Sequence, residues 1–284
     1  MAGWGFVTPF LLVFAFALVA PIGYAIYLSL FRQQLIGGNA FVGFANYSTA
    51  LTDPRFWVSV RRVALFLIVQ VPVMLALALL AALALDSARL RWAPLYRLSI
   101  FLPYSVPAVV AALMWGFIYG RQFGLVAHLS SALHVGLPDP FSGSWILASI
   151  GNVVTWEFTG YNMLIFFAAL RAVPGELYEA AEIDGANQIR IVTGIKLPAL
   201  RPAMVVATVF SVIGSLQLFT EPQVLQQVSP DTIPTNFTPN MYAYNLSFNG
   251  QQYNYSAAIA IVMGVLTVIA AATVQVIGRR RAAV

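Results

Sequence analysis

The chain has 284 residues, of which 60% are hydrophobic and 9% are charged, and its mean hydropathy is +0.80. Soluble domains carry about 25% charged residues, so this composition excludes a soluble enzyme and a disordered chain. The sequence has no cysteine, which excludes a disulfide-stabilised secreted domain. The composition predicts a protein that is solvated by the lipid bilayer.

Six stretches are long and apolar enough to cross the hydrocarbon core, which takes about 20 residues of helix. Their apolar runs do not alternate with polar residues as the strands of a membrane barrel do. The first stretch is too long for the core of a signal peptide and lacks a basic leader, so we expect it to be retained. We predict an all-α integral membrane protein with six transmembrane helices at about 6–31, 63–85, 98–119, 145–170, 203–225 and 257–277.

The distribution of cations predicts the orientation. If both termini are cytoplasmic, ten cations lie on the inner side and five on the outer side, as the positive-inside rule favours. The inner cations are then Arg89, Arg91, Arg97, Arg171, Arg190, Lys196, Arg201, Arg279, Arg280 and Arg281. The outer cations are Arg32, Arg55, Arg61, Arg62 and Arg121. The long outer segment 226–256 has no Lys or Arg, so we expect a multi-pass protein with both termini inside.

We divide the chain into three parts. Residues 1–60 form the first transmembrane helix and an external segment, in which 33–59 is expected to hold a short surface helix. Residues 61–278 form a membrane domain of five helices, and residues 279–284 form a basic cytoplasmic tail.

The most informative segment is the cytoplasmic connection at residues 173–202. Pro174 and the acidic residues after it are typical of a helix start. Gly185 fits a sharp turn at the end of that helix. A second short helix is expected from Asn187, ending where Pro198 and Pro202 break it before the next span.

The charge of this segment indicates what it binds. Four carboxylates fall within nine residues, at Glu176, Glu179, Glu182 and Asp184. An amphipathic hairpin on lipid headgroups is one interpretation, but an anionic inner leaflet repels these charges. A protein partner with a groove for a helical corner suits them better.

The segment also carries a known signature, in the order Glu179-Ala180-Ala181, Asp184-Gly185-Ala186, Ile195, Leu197-Pro198 and Arg201-Pro202. In residue kind, order and spacing it resembles the EAA signature of permease subunits in type I ABC importers, here over Glu179–Pro202. Two other stretches resemble the carbohydrate-uptake branch of that family, at residues 41–47 and 216–222.

The resemblance implies the type I ABC importer permease fold in a bacterial plasma membrane. It implies a heterodimer with a second permease subunit, two copies of a cytoplasmic ATPase subunit that hold ATP and Mg²⁺, an extracytoplasmic solute-binding lipoprotein and a sugar substrate. No nucleic acid is expected as a partner. In the family the signature segment is a coupling helix seated on the ATPase, so the implied contact residues are Glu179, Ala180, Ala181, Asp184 and Gly185.

The residues offer no enzyme chemistry. A phosphate-binding loop needs Gly-x4-Gly-Lys-Ser/Thr, but the single lysine, Lys196, stands between Ile195 and Leu197. His128 and His134 are six residues apart and form no recognisable metal motif. We therefore expect no catalytic residue, metal or cofactor in this chain, and energy from a separate ATPase.

Polar side chains inside spans are expensive and face a cavity or another helix. Glu157 lies fourteen residues before Arg171, or roughly 21 Å along the helix. It is a candidate for the solute pathway, or for assembly by pairing with an arginine or a hydroxyl of the partner permease. Aromatic and polar neighbours suit a sugar, so the predicted pathway residues are Trp156, Glu157, Tyr161, Asn162, Gln217 and Glu221.

Three other functions remain open at this stage. An ion- or proton-coupled secondary transporter would use Glu157 as its proton carrier, but it leaves the signature segment unexplained. A membrane assembly subunit would have no solute path. An ABC permease for a non-sugar solute is also compatible, because the signature is shared across substrates.

Overall fold

A computed structural model describes residues 2–34, 38–87, 91–122 and 124–282, with side chains from residue 4 to residue 278 of these ranges. The described chain is mostly helical, as lipid requires, because a helix satisfies its own backbone hydrogen bonds. The helices are α1 (Ala2–Phe14), α2 (Ala20–Ser29), α3 (Ala45–Thr52), α4 (Pro54–Leu85), α5 (Ala93–Phe101), α6 (Ala108–Ile118), α7 (Leu125–Leu133), α8 (Ile146–Arg171), α9 (Gly175–Ile183), α10 (Gln188–Ile191), α11 (Leu197–Leu216), α12 (Thr220–Leu225), α13 (Pro239–Phe248) and α14 (Tyr253–Ala282).

Five helical stretches of the described chain are long and apolar enough to cross a membrane. They match the first, second, fourth, fifth and sixth predicted spans, and they are Trp4–Ser29, Pro54–Leu85, Ile146–Arg171, Gln188–Leu225 and Tyr253–Gly278. The surface helix expected within residues 33–59 is present as α3. An unpredicted two-stranded hairpin, β1 (Phe31–Gln34) with β2 (Gly38–Phe41), precedes it.

The third span differs from the prediction of one helix over 98–119. It consists of Ala93–Ser105 and Ala108–Ile118, which meet at an angle of 97°. Prolines explain the break. Val106 precedes Pro107 and is extended, with ψ 128, because a residue before proline is disfavoured in the helical region. The described chain has six candidate spans only if this bent pair counts as one.

The second correction concerns the expected break at Pro198 and Pro202. The helix instead continues from α10 through both prolines to Leu216, and α12 completes the stretch Gln188–Leu225 after a break at residues 217–219. A π-turn at Val192–Lys196 makes this possible, because the Leu197 N–H donates to the Val192 carbonyl five residues back. The wider turn just before Pro198 relieves the clash that its ring would make in a regular helix.

One compact unit comprises residues 1–62 and 235–266. Its core contains Ala50, Phe56, Tyr242, Ile259 and Met263. The Ser59 hydroxyl donates to the Asn236 carbonyl at 2.6 Å, and the Asn254 amide donates to the Leu28 carbonyl at 2.9 Å. These bonds join segments that are far apart in sequence, so the unit is held by polar contacts as well as by its apolar core.

The other compact unit comprises residues 63–234 and 267–284. Its core is built from the inward faces of α4, α8 and α11, with Met163, Phe166, Leu170 and Leu200 nearly inaccessible. At Gly160 of α8 the chain around Ile100 passes so close that an added Cβ would overlap the Ile100 carbonyl. The glycine therefore lets the third span cross α8 in direct backbone contact.

Some predicted features are not described by the structure. Arg89 lies outside the described residues, as do the side chains of Arg279, Arg280 and Arg281. The backbone of the predicted tail continues as α14 to Ala282. The division of the chain at residues 60 and 278 stays a prediction.

Candidate translocation cavity and coupling segment

A cavity of about 410 Å³ lies inside the second unit, between α4, α8, α11, α12 and the bend of the third span. Ligand sites in proteins occupy about 300–1,000 Å³, so the volume suits a small solute or part of a larger one. On α8 the lining residues Val154, Phe158, Tyr161 and Asn162 follow helical spacing, which places them on one face.

One wall of the cavity is aromatic. The ring of Tyr104, at the bend of the third span, stacks on Tyr161 with centroids 4.9 Å apart and an interplanar angle of 21°. It meets Phe158 edge to face at 5.8 Å. Tyr104 reaches α8 because the close passage at Gly160 brings Ile100, four residues earlier, against that helix. The wall offers a flat apolar surface with a phenol at its edge.

Amides and hydroxyls supply hydrogen-bonding groups on the same cavity. The Gln70 amide donates to Thr155 Oγ1 at 3.4 Å, and the Ser215 hydroxyl donates to Gln70 Oε1 at 3.5 Å. The Asn162 amide donates to the Phe158 carbonyl at 3.0 Å. Asn162 is buried, yet its Oδ1 has no hydrogen-bond partner among the described residues.

Four of the six predicted pathway residues line the cavity, namely Tyr161, Asn162, Gln217 and Glu221. Trp156 does not line it and packs against Trp115 instead, with ring centroids 5.9 Å apart at 76°. Glu157 is also outside the lining and is buried, with Oε2 unpartnered within the described chain. Gln70, Tyr104 and Ser215 also line the cavity and were not among the predicted residues.

The segment that carries the signature folds as two short helices around Gly185. Helix α9 ends at Ile183, and Gly185 has φ +78, a region that favours glycine. The Gly185 N–H donates to the Glu182 carbonyl at 3.0 Å, and the Ala186 N–H donates to the Ala181 carbonyl at 2.9 Å. These two bonds form a Schellman motif, which confirms the turn predicted at Gly185.

The residues of the implied ATPase contact are accessible on this corner. Glu179, Ala180, Asp184 and Gly185 are exposed, and Ala181 is half-buried. Two large apolar side chains beside them are also uncovered, with Ile183 86% and Ile189 73% exposed. An uncovered apolar patch next to carboxylates is typical of a protein interaction surface.

A buried ion pair fixes the segment to the second span. Lys196 Nζ lies 2.6 Å from Asp86 Oδ2, just after α4, and the two side chains are only 10% and 7% exposed. Lys196 Nζ also lies 5.2 Å from the ring centroid of Tyr178 on α9. Burial, followed by the negative charge of Asp86, raises the pKa of the Tyr178 phenol, so this ring stays neutral beside the pair. The three residues connect α4, α9 and the start of α11.

In the part of the chain that the structure describes, the side chains that serve as metal ligands form no cluster of the size that a metal centre needs. Across the described residues, no group of three or more His, Cys, Asp or Glu side chains converges as metal ligands would. The chemistry of the cavity is therefore that of aromatic, amide, hydroxyl and carboxyl groups.

Comparison with known families decides what kind of protein this is. Residues 74–283 match the family described as the inner membrane component of binding-protein-dependent transport systems. The chain belongs to this permease family. It is accordingly a multi-pass inner membrane protein, and the resemblance inferred from the signature segment is confirmed.

Relatives of this permease are named for saccharide transport. The lactose transport system permease protein LacF of Rhizobium radiobacter is 31% identical, over 92% of this chain and 88% of the relative. The trehalose/maltose transport system permease protein MalF of Thermococcus litoralis is 32% identical, over 93% of this chain and 89% of the relative. The diacetylchitobiose uptake system permease protein NgcF of Streptomyces coelicolor is 31% identical, over 95% and 80%.

Solved structures support the permease fold. A chain of a bacterial ABC transporter that imports the acidic polysaccharide alginate aligns with a TM-score of 0.79, covering 99% of each chain at 20% identity. A chain of an alginate transporter in complex with a periplasmic protein bound to alginate pentasaccharide aligns with a TM-score of 0.86, covering 98% of this permease and 94% of that chain at 20% identity.

Proposed function

We propose that this permease is the membrane-spanning subunit of an ATP-driven saccharide importer, in which it forms half of the translocation pathway. The family and the names of its relatives support this function. The cavity supports it as well, because an aromatic wall stacks on the apolar faces of a sugar while amides and hydroxyls bond to its hydroxyl groups.

One observation carries the mechanism. A continuous helix from Gln188 to Leu216 begins in the coupling segment and ends with the cavity residues of α11. From Lys196 to Ser215 it rises roughly 28 Å. Because helices are stiff, a force on the coupling corner moves the α11 part of the cavity wall.

The remaining subunits follow from this function. A second permease supplies the other half of the pathway, two ATPase subunits bind ATP and Mg²⁺ and perform hydrolysis, and an external solute-binding lipoprotein delivers the saccharide. Closing of the ATPase dimer draws the two coupling corners together and switches the cavity between inward-facing and outward-facing states. Both termini of this permease lie in the cytoplasm of a bacterial cell, so α9 faces the ATPase.

Each set of predicted residues has a role in this proposal. Glu179, Ala180, Ala181, Asp184 and Gly185 contact the ATPase, and the exposed Ile183 and Ile189 add apolar area to that contact. Tyr161, Asn162, Gln217 and Glu221 contact the solute directly. Trp156 and Glu157 act from behind the wall, where they position the lining residues.

The Gly185→Val variant tests the coupling role. A β-branched side chain is strained at φ +78, so the turn should open and the corner should lose its fit. We expect uptake by cells and solute-stimulated ATPase activity of the purified complex to fall by about tenfold or more, with the permease still present in the membrane.

Gly175→Ala is the matched control on the same segment. An added Cβ at Gly175 meets nothing within 4 Å, and the residue has no left-handed backbone conformation. Its uptake and ATPase activity should match the parent. If Gly185→Val couples uptake to ATP hydrolysis as well as the parent does, the role of the corner is refuted.

A separate measurement tests the energy source. Uptake by the parent that survives ATP depletion but stops with a protonophore would refute ATP-driven transport.

A further inference from the structure

The wall of the cavity has a distinctive charge character. The described residues that line it include no lysine, arginine or histidine. Among these lining residues, Glu221 carries a carboxyl group. Glu157 stands behind it, close enough for the two carboxyl groups to interact electrostatically. Both are nearly inaccessible to solvent, at 4% and 6% exposure. The described lining therefore places no cationic side chain beside Glu221 or Glu157.

One lining residue, Asn162, has a buried oxygen without a partner. Its Oδ1 has no hydrogen-bond partner among the described residues, and neither has Glu157 Oε2, which lies outside the lining. Buried polar atoms are nearly always paired, and an unpaired one costs free energy. A hydroxyl group of a solute is a suitable donor for the Asn162 oxygen.

Carboxyl groups distinguish neutral from acidic saccharides. An ionised carboxyl accepts hydrogen bonds from sugar hydroxyls, and a protonated one both donates and accepts. Neither form supplies the positive charge that a buried uronate or sulfonate requires, which proteins provide with arginine or lysine. The wall that this chain provides can satisfy an uncharged sugar in either protonation state, but its described lining offers no cation to an anionic one.

We propose that this cavity selects uncharged saccharides and rejects acidic ones, with Glu221 as a specificity-determining residue that bonds to the hydroxyls of the solute. The inference rests on the proposed importer function and adds the chemical class of its substrate. The aromatic wall of Tyr104, Phe158 and Tyr161 serves the same class, because it stacks on C–H faces that carry no charge.

Uptake of a saccharide panel by the native host tests the class. A strain that lacks this gene is compared with the same strain carrying the gene, using labelled oligosaccharides of two to five units. Neutral gluco-, galacto-, arabino- and N-acetylglucosamine oligomers are set against uronate oligomers and glucosamine oligomers of the same lengths. We expect the uptake that depends on the gene to be confined to neutral members.

The outcomes separate the two levels of the proposal. Gene-dependent uptake of a uronate or a glucosamine oligomer overturns the neutral specificity while saccharide import stands. If no saccharide in the panel shows gene-dependent uptake, saccharide import itself fails and the specificity falls with it. Uptake of neutral oligomers alone supports both.

Variants at position 221 test the residue, with the transported saccharide as substrate. Glu221→Ala removes the bonding group and should raise the KM for uptake by about tenfold, while Glu221→Gln keeps acceptor and donor atoms and should stay within about threefold. Asp231→Ala removes an exposed carboxylate elsewhere and should leave the KM unchanged. If Glu221 had a purely structural role, Glu221→Ala would lower the amount of transporter in the membrane and leave the KM unchanged. An unchanged KM in Glu221→Ala would therefore overturn the assignment.

Discussion

Asp53, just before α4, joins three segments of the first unit through its carboxylate. Tyr242 and Tyr255 each donate a hydroxyl proton to Asp53 Oδ2, at 2.6 and 2.8 Å, and the Arg55 N–H donates to Oδ1 at 2.8 Å. Burial opposes ionisation, but these bonds outweigh it and hold the pKa of Asp53 below its usual value. Burial and the neighbouring carboxylate raise the pKa of Tyr242 to about 12, so this phenol remains a donor at neutral pH.

Asp53→Asn should therefore destabilise the permease in a pH-dependent way. A carboxylate whose pKa is lowered by folding stabilises the fold above its unfolded pKa, which is about 3.9. That stabilisation is lost as the pH falls through the folded pKa. At pH 7 we expect the melting temperature of the detergent-solubilised complex to drop by roughly 3–6 °C, and the difference should shrink below about pH 4.

The Asp139→Asn variant is the control for this measurement. Asp139 pairs with Arg121 at 2.8 Å, but the two side chains are 37% and 64% exposed. Exposed pairs contribute little to stability, so its melting temperature should hardly change. A pH-independent loss in Asp53→Asn would contradict the charge-based account.

Single residues were predictable where their chemistry conflicts with lipid. Asn162, Gln217 and Glu221 were identified because a polar side chain in a span must face a cavity or a partner, and they line the cavity. Tyr104 was missed because its place depends on the 97° bend and on the close passage at Gly160. A contact between distant segments leaves no periodic pattern in either one.

At the scale of elements, the Asp86–Lys196 pair connects α4 to the start of α11 below the cavity. Removing one partner leaves a buried charge uncompensated, which costs about 3–5 kcal/mol, whereas replacing both with apolar residues is often tolerated. We expect Lys196→Met and Asp86→Leu each to reduce the amount of assembled transporter. The double variant should recover most of it, as measured by immunoblot and by melting of the purified complex.

Coupling should not recover together with stability. In the double variant no ammonium group lies beside the Tyr178 ring, so the contact between α9 and the start of α11 is weaker. A movement of α9 should therefore be passed to α11 less completely than in the parent. Transport per ATP hydrolysed is the quantity to compare. Arg121→Gln, which breaks the exposed ion pair, serves as the control and should change neither property. Full recovery of coupling in the double variant would show that the pair serves stability alone.

Elements were predictable where local chemistry decides them. The helix start near Pro174 and the turn at Gly185 follow from the local preferences of proline and glycine. The expected break at Pro198 was wrong because proline normally ends a helix, and a π-turn that accommodates it has no known local pattern. The bend of the third span has two prolines at its centre, yet its apolar composition was continuous enough to conceal it.

For the whole molecule, orientation in the membrane is the property that the proposed mechanism requires. Helix α8 rises about 39 Å over its 26 residues, which exceeds the hydrocarbon core of about 30 Å. The sequence lacks cysteine, so single cysteines report position without background. Ser144→Cys, before α8, should react with an impermeant maleimide in intact spheroplasts, while Arg171→Cys should react only after permeabilisation.

The unsubstituted chain provides the blank for this experiment, because it has no thiol. A reversed pattern would place the coupling segment outside the cell and refute contact with a cytoplasmic ATPase.

The family was predictable from about two dozen residues because the signature fixes their kind, order and spacing. The cavity was less predictable because it is assembled from four separate stretches of chain.

The π-turn at Val192–Lys196 has a rotational consequence. A regular turn holds about 3.6 residues, whereas the π-turn holds one more residue within the same revolution. The helical segments before and after it therefore keep the mutual orientation that they would have in a regular helix one residue shorter. Deleting Gly194 should restore regular winding and leave the corner facing the same way relative to Ser215, whereas deleting one residue from the regular part of α11 should rotate the corner by about 100°.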